Sequence, residues 1–399
     1  MVPSKKSWFH IKNWVYILPI VYVAHLLSVA IPLLGVFRTI ENVGIEKCRK
    51  LIGPEDFKNC EDFAFSDEID VLYFSCDPIR NKFNKVMGIN TMKQGEIDVS
   101  GSIWRVKYTE DPPVFEKLSL VDDKINVTAD YHPLGLAIDT HPRTGEQTLI
   151  TANLPHNRES IIELFGIRGT HLYHKKTIKS PLLYAPNSIH ILTDERFRAD
   201  DGTPSFFFSN DHYFSNTNYI FSAVLKKVEN FCFHLSNVRF YNARVDNVEE
   251  SVAGLAFANG VSGTDDVLFV AETYKRSVKK YNIVPIMAPN PHVRLNFVQE
   301  QKFEMGVDNI HYDSKKNKVV VAGHPQVSQL LKFVRGRLNR GSALPPSQID
   351  SWDLNDKKVD TLFKDDGSFF GTSSTGSIDA NDKLIVSGLY EKGFLVCDQ

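Results

Sequence analysis

The sequence lacks the short motifs that identify the commonest hydrolytic and nucleotide-binding sites. It contains no G-x-S-x-G nucleophile elbow, no H-E-x-x-H zinc motif, no P-loop and no G-x-G-x-x-G segment after a strand. The segment G-T-S-S-T-G at residues 371–376 has serines between glycines, but their spacing is wrong for a nucleophile elbow. These absences argue against a serine hydrolase, a zincin-type metalloenzyme and a dinucleotide-binding domain.

The chain also has little net charge and few cysteines. Its 46 Lys and Arg residues against 48 Asp and Glu residues give a formal net charge of −2, and no basic stripe is present. We therefore expect no nucleic-acid partner. None of the five cysteines forms a C-x-x-C pair, which argues against a structural zinc site. A bridge between Cys48 and Cys397 would join the two ends of the chain; the alternative is two free thiols.

The N-terminal region is the one long apolar run in the sequence. Trp14–Phe37 contains no Asp, Glu, Lys or Arg, and as a helix it would span about 36 Å, enough for a hydrocarbon core of about 30 Å. Lysines at positions 5, 6 and 12 precede it, so the positive-inside rule keeps the tail at residues 1–13 cytoplasmic. We predict a signal anchor of a single-pass membrane protein, with the remainder in the lumen or outside the cell.

The same apolar segment has a second interpretation. Ser28-Val29-Ala30 would serve as the small-residue cleavage site of a signal peptide. The apolar run continues beyond Ala30, which favours an uncleaved anchor. Both interpretations send the chain into the secretory pathway, where the sequon Asn126-Val127-Thr128 predicts N-glycosylation at Asn126.

The rest of the chain repeats one plan. A side chain bearing an oxygen is followed by one or two apolar residues, a turn rich in Asp, Gly and Lys, and an apolar strand. About six such units recur with a period of roughly 50 to 75 residues, which is typical of propellers and solenoids, and the short apolar runs indicate antiparallel sheet. We predict an all-β, six-bladed propeller at residues 61–399 after a stem at residues 38–60. The copies begin at Glu61, Leu134, Pro186, Phe257, Val307 and Ser374.

The repeated oxygen-bearing position predicts a metal site. Equivalent positions of all blades of a propeller face one axis. One Asn or Asp before a turn is ordinarily a turn-former, but the same position carries an amide or a carboxylate in four repeats. Oxygen donors without sulfur or imidazole favour calcium over zinc. The predicted ligands are Glu61, Asn187, Asn259, Asp308 and Asn309.

Several segments resemble the paraoxonase/arylesterase family across residues 45–399. They are F-A-N-G at 257–260, V-D-N-I at 307–310, S-N-D-H-Y-F at 209–214, G-H-P at 323–325 and the E-D pair at 61–62. The resemblance implies a six-bladed propeller closed by pairing of its N- and C-terminal strands, with a catalytic calcium in the central channel. It also implies hydrolysis of lactones and aryl esters, and a retained hydrophobic N-terminus.

The resemblance also implies roles for individual residues. The five predicted ligands match the ligands of the catalytic calcium. Asp62, the backbone carbonyl of Leu136 and the position of Ser188 match a second, structural calcium. Phe257 and His324 match residues that line the active site, and Cys48 and Cys397 match a disulfide.

The chain departs from the family pattern at positions that matter for chemistry. Leu134 and Leu154 occupy the two positions of the family's histidine dyad, and Ser188 replaces a carboxylate of the second calcium site. The remaining candidates for a general base are His132, His324 and a calcium-ligating carboxylate such as Asp308 or Glu61. The leucines favour an apolar ester or lactone as substrate.

The loss of the dyad also supports an alternative function. The chain would then be a non-catalytic, membrane-anchored calcium propeller that binds a lipid or protein partner. A metal-free propeller similar to strictosidine synthase is a further alternative, against which the oxygen-bearing positions argue.

Overall fold

The computed structural model of the protein describes residues 6–68, 70–93, 99–121, 130–156, 158–215, 222–286, 292–336 and 343–399. The predicted glycosylation site Asn126 lies outside these residues.

Short strands make up most of the described chain. Three α-helices accompany them: α1 (Lys6–Leu34), α2 (Ser222–Val228), which continues into a π-helix at Glu229–Phe233, and α3 (Val327–Val334). The strands are β1 (Cys48–Leu51), β2 (Cys60–Phe65), β3 (Val71–Cys76), β4 (Phe83–Asn84), β5 (Ile89–Asn90), β6 (Ser102–Lys107), β7 (Val114–Lys117), β8 (Ser119–Val121), β9 (Pro133–Thr140), β10 (Gln147–Asn153), β11 (Ile161–Arg168), β12 (His171–Ile178), β13 (Pro186–Ile191), β14 (Phe206–Asn210), β15 (Ser236–Asn242), β16 (Asn247–Leu255), β17 (Ala258–Gly263), β18 (Val267–Glu272), β19 (Ser277–Ile286), β20 (His292–Lys302), β21 (Gly306–Asp313), β22 (Lys318–His324), β23 (Ser347–Asp353), β24 (Val359–Asp365), β25 (Ser373–Ile378), β26 (Lys383–Gly388) and β27 (Phe394–Asp398).

The strands form the six blades that the repeat predicts. Their orders are β2-β3-β6-β7, β8-β12-β11-β10-β9, β13-β14-β15-β16, β17-β18-β19-β20, β21-β22-β23-β24 and β1-β27-β26-β25. The first strand of each repeat (β2, β9, β13, β17, β21 and β25) is the innermost strand of its blade, and these six strands contact one another around the axis.

Blade stacking explains why so many strands are apolar on both faces. Val270 on β18 is fully buried and belongs to one cluster with Phe207 and Phe240 of the preceding blade. Its neighbour Phe269 faces the other way, into a cluster with Val319 and Trp352 of the following blade. Each blade thus buries both faces, so its strands lack the alternation of a sheet with one side in water.

The ring is closed by the two ends of the chain, as predicted. β1 pairs antiparallel with β27, and a disulfide joins Cys48 to Cys397 at facing positions. β1 lies inside residues 38–60, so part of the predicted stem is the outer strand of the last blade. A second disulfide, Cys60–Cys76, joins β2 to β3; the sequence analysis did not predict it.

Helix α1 combines a membrane-spanning length with a docked end. Its segment Tyr16–Leu34 is long and apolar enough to cross a membrane. The helix ends at Gly35, whose positive φ of 61° and lack of a Cβ allow the close approach of the Pro325 carbonyl. Leu33, in the last turn, is 1% exposed and packs against the propeller. Arg38 then donates a hydrogen bond to the same carbonyl at 2.8 Å.

Candidate metal and substrate site

A cavity of about 570 Å³ lies at the N-terminal ends of the inner strands. Four predicted ligands line it: Glu61 on β2, Asn187 on β13, Asn259 on β17 and Asp308 on β21. The fifth, Asn309, lines a second cavity of about 480 Å³ that is bordered by later residues of the same strands. The Asn309 amide nitrogen donates to Glu61 Oε1 at 2.8 Å, so the five side chains gather where the two cavities meet.

The regular pairing of the inner strands is interrupted where the predicted ligands lie. The register shifts in β2 between Cys60 and Asp62, in β13 between Pro186 and Ile189, in β17 between Ala258 and Val261 and in β21 between Val307 and Ile310. Every interval contains a predicted ligand. A bulge bends a strand and redirects one side chain, and bulges are common beside functional sites.

Four oxygens of this group are buried without a hydrogen-bond donor in the described part of the chain. Glu61 Oε2 and the amide oxygens of Asn187, Asn259 and Asn309 have no hydrogen-bond partner within the described residues. The amide nitrogens, in contrast, are used: Asn187 donates to Asp211 at 3.2 Å and Asn259 donates to Thr273 at 3.2 Å. Buried acceptors are nearly always paired in folded proteins. Four unpaired acceptors at one place therefore fit a bound cation.

The charges at this place fit a divalent cation that prefers oxygen. Burial, together with the charges of Asp62 and Asp308, raises the pKa of Glu61 well above its ordinary value. A cation between these carboxylates would offset both the cost of burying their charge and their mutual repulsion. The described residues contain no cluster of three or more His, Cys, Asp and Glu side chains suited to a metal. Two carboxylates with three amides match calcium better than zinc.

The residues predicted for a second calcium have a different environment. Asp62 Oδ1 accepts hydrogen bonds from the Phe63 backbone and the Thr375 hydroxyl, both at 2.9 Å, and Oδ2 accepts from the Leu136 backbone N–H at 3.1 Å. The Ser188 hydroxyl accepts from a backbone N–H at 3.1 Å. Burial raises the pKa of Asp62 to about 6 even though these hydrogen bonds lower it. Unlike the unpaired oxygens around Glu61, these acceptors already have protein donors, so they provide weaker support for a second cation.

His324 and His212 line the cavity. His324 lies with Nε2 2.9 Å from Asp308 Oδ2, and its Nδ1 has no partner within the described residues. His212 lies with Nδ1 2.7 Å from Asp211 Oδ1, and its ring centroid is 4.5 Å from that of Phe257, which also lines the cavity. Each is an imidazole held by a carboxylate, the arrangement that fixes a tautomer.

His132 is buried in a separate polar cluster and is not among the side chains that line the cavity. Its Nδ1 lies 3.0 Å from Asp77 Oδ2, its Nε2 lies 3.5 Å from Asp130 Oδ1, and its ring contacts Phe83. Burial opposes protonation, but the two carboxylates outweigh it and raise the pKa of His132 to about 8.

The His132 cluster predicts a pH-dependent stability. Because the folded-state pKa exceeds the ordinary value of 6.5, the contribution is complete below about pH 6.5 and is lost as the pH rises through about 8. We expect the free energy of unfolding to fall by about 2 kcal/mol over this range. Chemical denaturation at constant calcium measures it. His132→Gln should flatten the dependence; an unchanged dependence in this variant would contradict the assignment.

The two dyad positions carry apolar side chains that pack together and provide no polar group. Leu134 and Leu154 are 3% and 5% exposed and pack with Ala152 and Val86. Leu134 and Val86 line the cavity.

Sequence reasoning missed the elements that cover the cavity. Leu33 from α1, Lys226 from α2 and several apolar residues of α3 line it. Sequence periodicity indicates which residues of a helix share a face, but it does not tell where that helix packs on the blades.

Comparison with known proteins yields a consistent group of relatives. The family model described as Arylesterase matches residues 55–399. The chain is 26% identical over 374 residues to serum paraoxonase/arylesterase 2 of Bos taurus, covering 90% of this chain and 91% of that protein. It is 27% identical over 308 residues to serum paraoxonase/lactonase 3 of Mus musculus, covering 75% and 77%.

Proposed function

The chain belongs to the arylesterase family, and from this premise we propose that it is a calcium-dependent hydrolase of carboxylic esters, including aryl esters and lactones. The observation that carries the proposal is the group of unpaired, buried oxygens on Glu61, Asn187, Asn259 and Asn309 where the two cavities meet. Together with Asp308 they would hold one calcium ion. When bound, this ion would act as a Lewis acid on the ester carbonyl.

The protein's own residues would supply the general base. A carboxylate only accepts hydrogen bonds, so Asp308 Oδ2 fixes the proton of His324 on Nε2 and leaves a lone pair on Nδ1. We propose that His324 Nδ1 takes the proton of the attacking water and that Asp308 stabilises the imidazolium. His212, held in the same way by Asp211, is the second candidate. His132 lies outside the cavity and is proposed as a structural residue.

The lining favours an ester with a large apolar group. Apolar side chains make up a large part of the cavity lining, and Leu134 at one dyad position is among them, so an acyl chain or aryl ring would bury its surface here. The apolar residues are Leu33, Val86, Met87, Ile89, Leu134, Phe257, Val327, Leu330, Leu331, Val334 and Leu389.

Helix α1 belongs to the proposed site. Leu33 is buried against the propeller and lines the cavity, which supports retention of the helix in the mature protein. We propose a single-pass topology with the propeller in the lumen or outside the cell, so that apolar substrates reach the cavity from the membrane side.

The reaction is tested on the full-length protein in a neutral detergent. Phenyl acetate and a long-chain aliphatic lactone are assayed with calcium, with a chelator, and after calcium is restored. We expect hydrolysis that disappears with the chelator and returns with calcium. Hydrolysis that is indifferent to the chelator would overturn the calcium-dependent mechanism.

A second candidate function follows from Leu134 and Leu154, because they replace the family's histidine dyad. The protein would then be a non-catalytic calcium propeller that binds a lipid or protein partner. A calcium-dependent rise in Tm without turnover on a broad panel of esters would favour this function over hydrolysis.

We further propose that the chain binds one calcium ion rather than two. Because the Asp62 oxygens are already paired, the Asp62→Asn variant should bind calcium with an affinity within about threefold of the parent protein, whereas Asp308→Asn should weaken binding at least about a hundredfold. Isothermal titration calorimetry measures both. A large loss of affinity in Asp62→Asn together with a second equivalent of calcium in the parent would contradict the proposal.

A further inference from the structure

One cationic side chain is buried in the wall of the cavity. Lys226 on α2 is 7% exposed and lines the cavity. Its Nζ donates to the backbone carbonyl of Lys85 at 2.5 Å and to that of Val86 at 3.3 Å. Carbonyl dipoles orient an ammonium group, but they do not neutralise its charge.

The nearby carboxylates are committed to other partners. Asp211 and Glu229 are the acids that act electrostatically on Lys226. Asp211 binds His212 and the Asn187 amide, and Glu229 accepts the backbone N–H groups that follow His212 in the chain. Burial lowers the pKa of Lys226 in spite of both acids. Burying a cation costs free energy unless an anion compensates it.

The charge of the whole cavity changes when the proposed calcium is bound. Glu61 and Asp308 are the carboxylates that line it, while Lys226 and Arg335 are the lysine and the arginine of the lining. The two acids balance the two charges of calcium, so no described carboxylate that lines the cavity is left to offset the two bases. The loaded cavity would therefore attract an anion.

The position of these bases beside apolar walls defines the kind of anion. Arg335 follows α3, whose residues Val327, Leu330 and Val334 line the cavity. Leu33 of α1 adds a further apolar surface. An apolar chain with a charged group satisfies both parts of such a lining, whereas a small hydrophilic anion satisfies only one.

We propose that Lys226 is a substrate-recognition residue and that the cavity takes an amphiphile with an anionic carboxylate or phosphate group beside an apolar chain. This proposal rests on the proposed function for the bound calcium ion and for the reaction that follows binding. The recognition itself depends on Lys226 and the apolar walls, and it is measurable with molecules that carry no ester.

The experiment measures binding by the full-length, calcium-loaded protein in nanodiscs of neutral phosphatidylcholine. The probes are dodecanoate, dodecyl phosphate and the neutral dodecanamide, compared in the parent protein, Lys226→Met, Lys226→Arg and the control Lys332→Met, which alters an exposed lysine of α3. We expect the parent to bind at least one anionic probe about tenfold or more tightly than the amide. The better of the two anions identifies the head group.

The variants separate recognition from general attraction. Lys226→Met should lose the preference for the anion, while Lys226→Arg and Lys332→Met should keep it. A parent protein without the preference, or a Lys226→Met variant that retains it, would overturn the proposal. If Lys226→Met fails to fold, the parent and Lys226→Arg still decide, because an anion preference lost in Lys226→Arg or absent from the parent contradicts the proposal. Ester hydrolysis is not part of the readout. A failure of this proposal is therefore distinguishable from a failure of the proposed hydrolase function.

Discussion

Asn259→Ala and Asp308→Ala should each lower kcat/KM for ester hydrolysis by about a thousandfold or more. Each removes one ligand from a group in which most oxygens have no other partner. Loss of electrostatic stabilisation at a reacting carbonyl costs several kcal/mol, and each 1.4 kcal/mol is about tenfold in rate. Initial rates with an aryl ester and a lactone, measured over a range of calcium concentrations, test the expectation.

The control for this loss is a buried amide outside the cavity. Asn237 is 3% exposed, accepts a hydrogen bond from Asn210 on the adjacent strand β14 and donates one to Tyr184, which precedes β13. Asn237→Ala should lower stability without the large loss of activity. In Asn259→Ala, excess calcium should restore part of the rate, because the remaining ligands still bind weakly. Full activity in either ligand variant at low calcium would contradict the proposed site.

Removing the Cys48–Cys397 disulfide should destabilise the protein by about 6 kcal/mol in the chain-entropy account. The bridge spans a sequence separation of 349 residues and fastens β1 to β27 at the closure of the ring. Without it, the last blade depends on the strand pairing of four residues and the packing of Leu395 and Phe394. Denaturation of the double variant Cys48→Ser, Cys397→Ser against the parent measures the loss.

The second disulfide provides the matched comparison. Cys60–Cys76 closes a separation of only 16 residues within one hairpin. Its loss should cost about 3 kcal/mol, which is about 3 kcal/mol less than loss of the ring-closing bridge. If both double variants lose the same stability, ring closure would not depend on the terminal bridge in the way proposed here.

The fold and the candidate ligands could be predicted because the repeat encodes both. Each unit begins with the innermost strand of a blade, so an oxygen-bearing residue early in the repeat lies near the axis in four blades. This argument needs no knowledge of distant contacts. It identified Asn187, Asn259 and Asp308 because they share one position in equivalent strands.

The rest of the site depends on contacts that periodicity does not encode. Leu33 and Lys226 belong to helices outside the repeat, and their positions are set by packing on top of the blades. His132 precedes Leu134 by two residues, a spacing that puts residues on one face of a strand. However, β9 begins only at Pro133, so the alternation does not extend to His132. The Cys60–Cys76 pairing depends on the register of one hairpin, which the sequence pattern left undetermined.

The calcium content of the purified full-length protein tests the central claim most directly. The protein is stripped with a chelator, reloaded with calcium, desalted and analysed by inductively coupled plasma mass spectrometry beside the double variant Asn259→Ala, Asp308→Ala. The account predicts one calcium per chain in the parent protein and none in the variant. No calcium in the parent, or an equal amount in the variant, would contradict it.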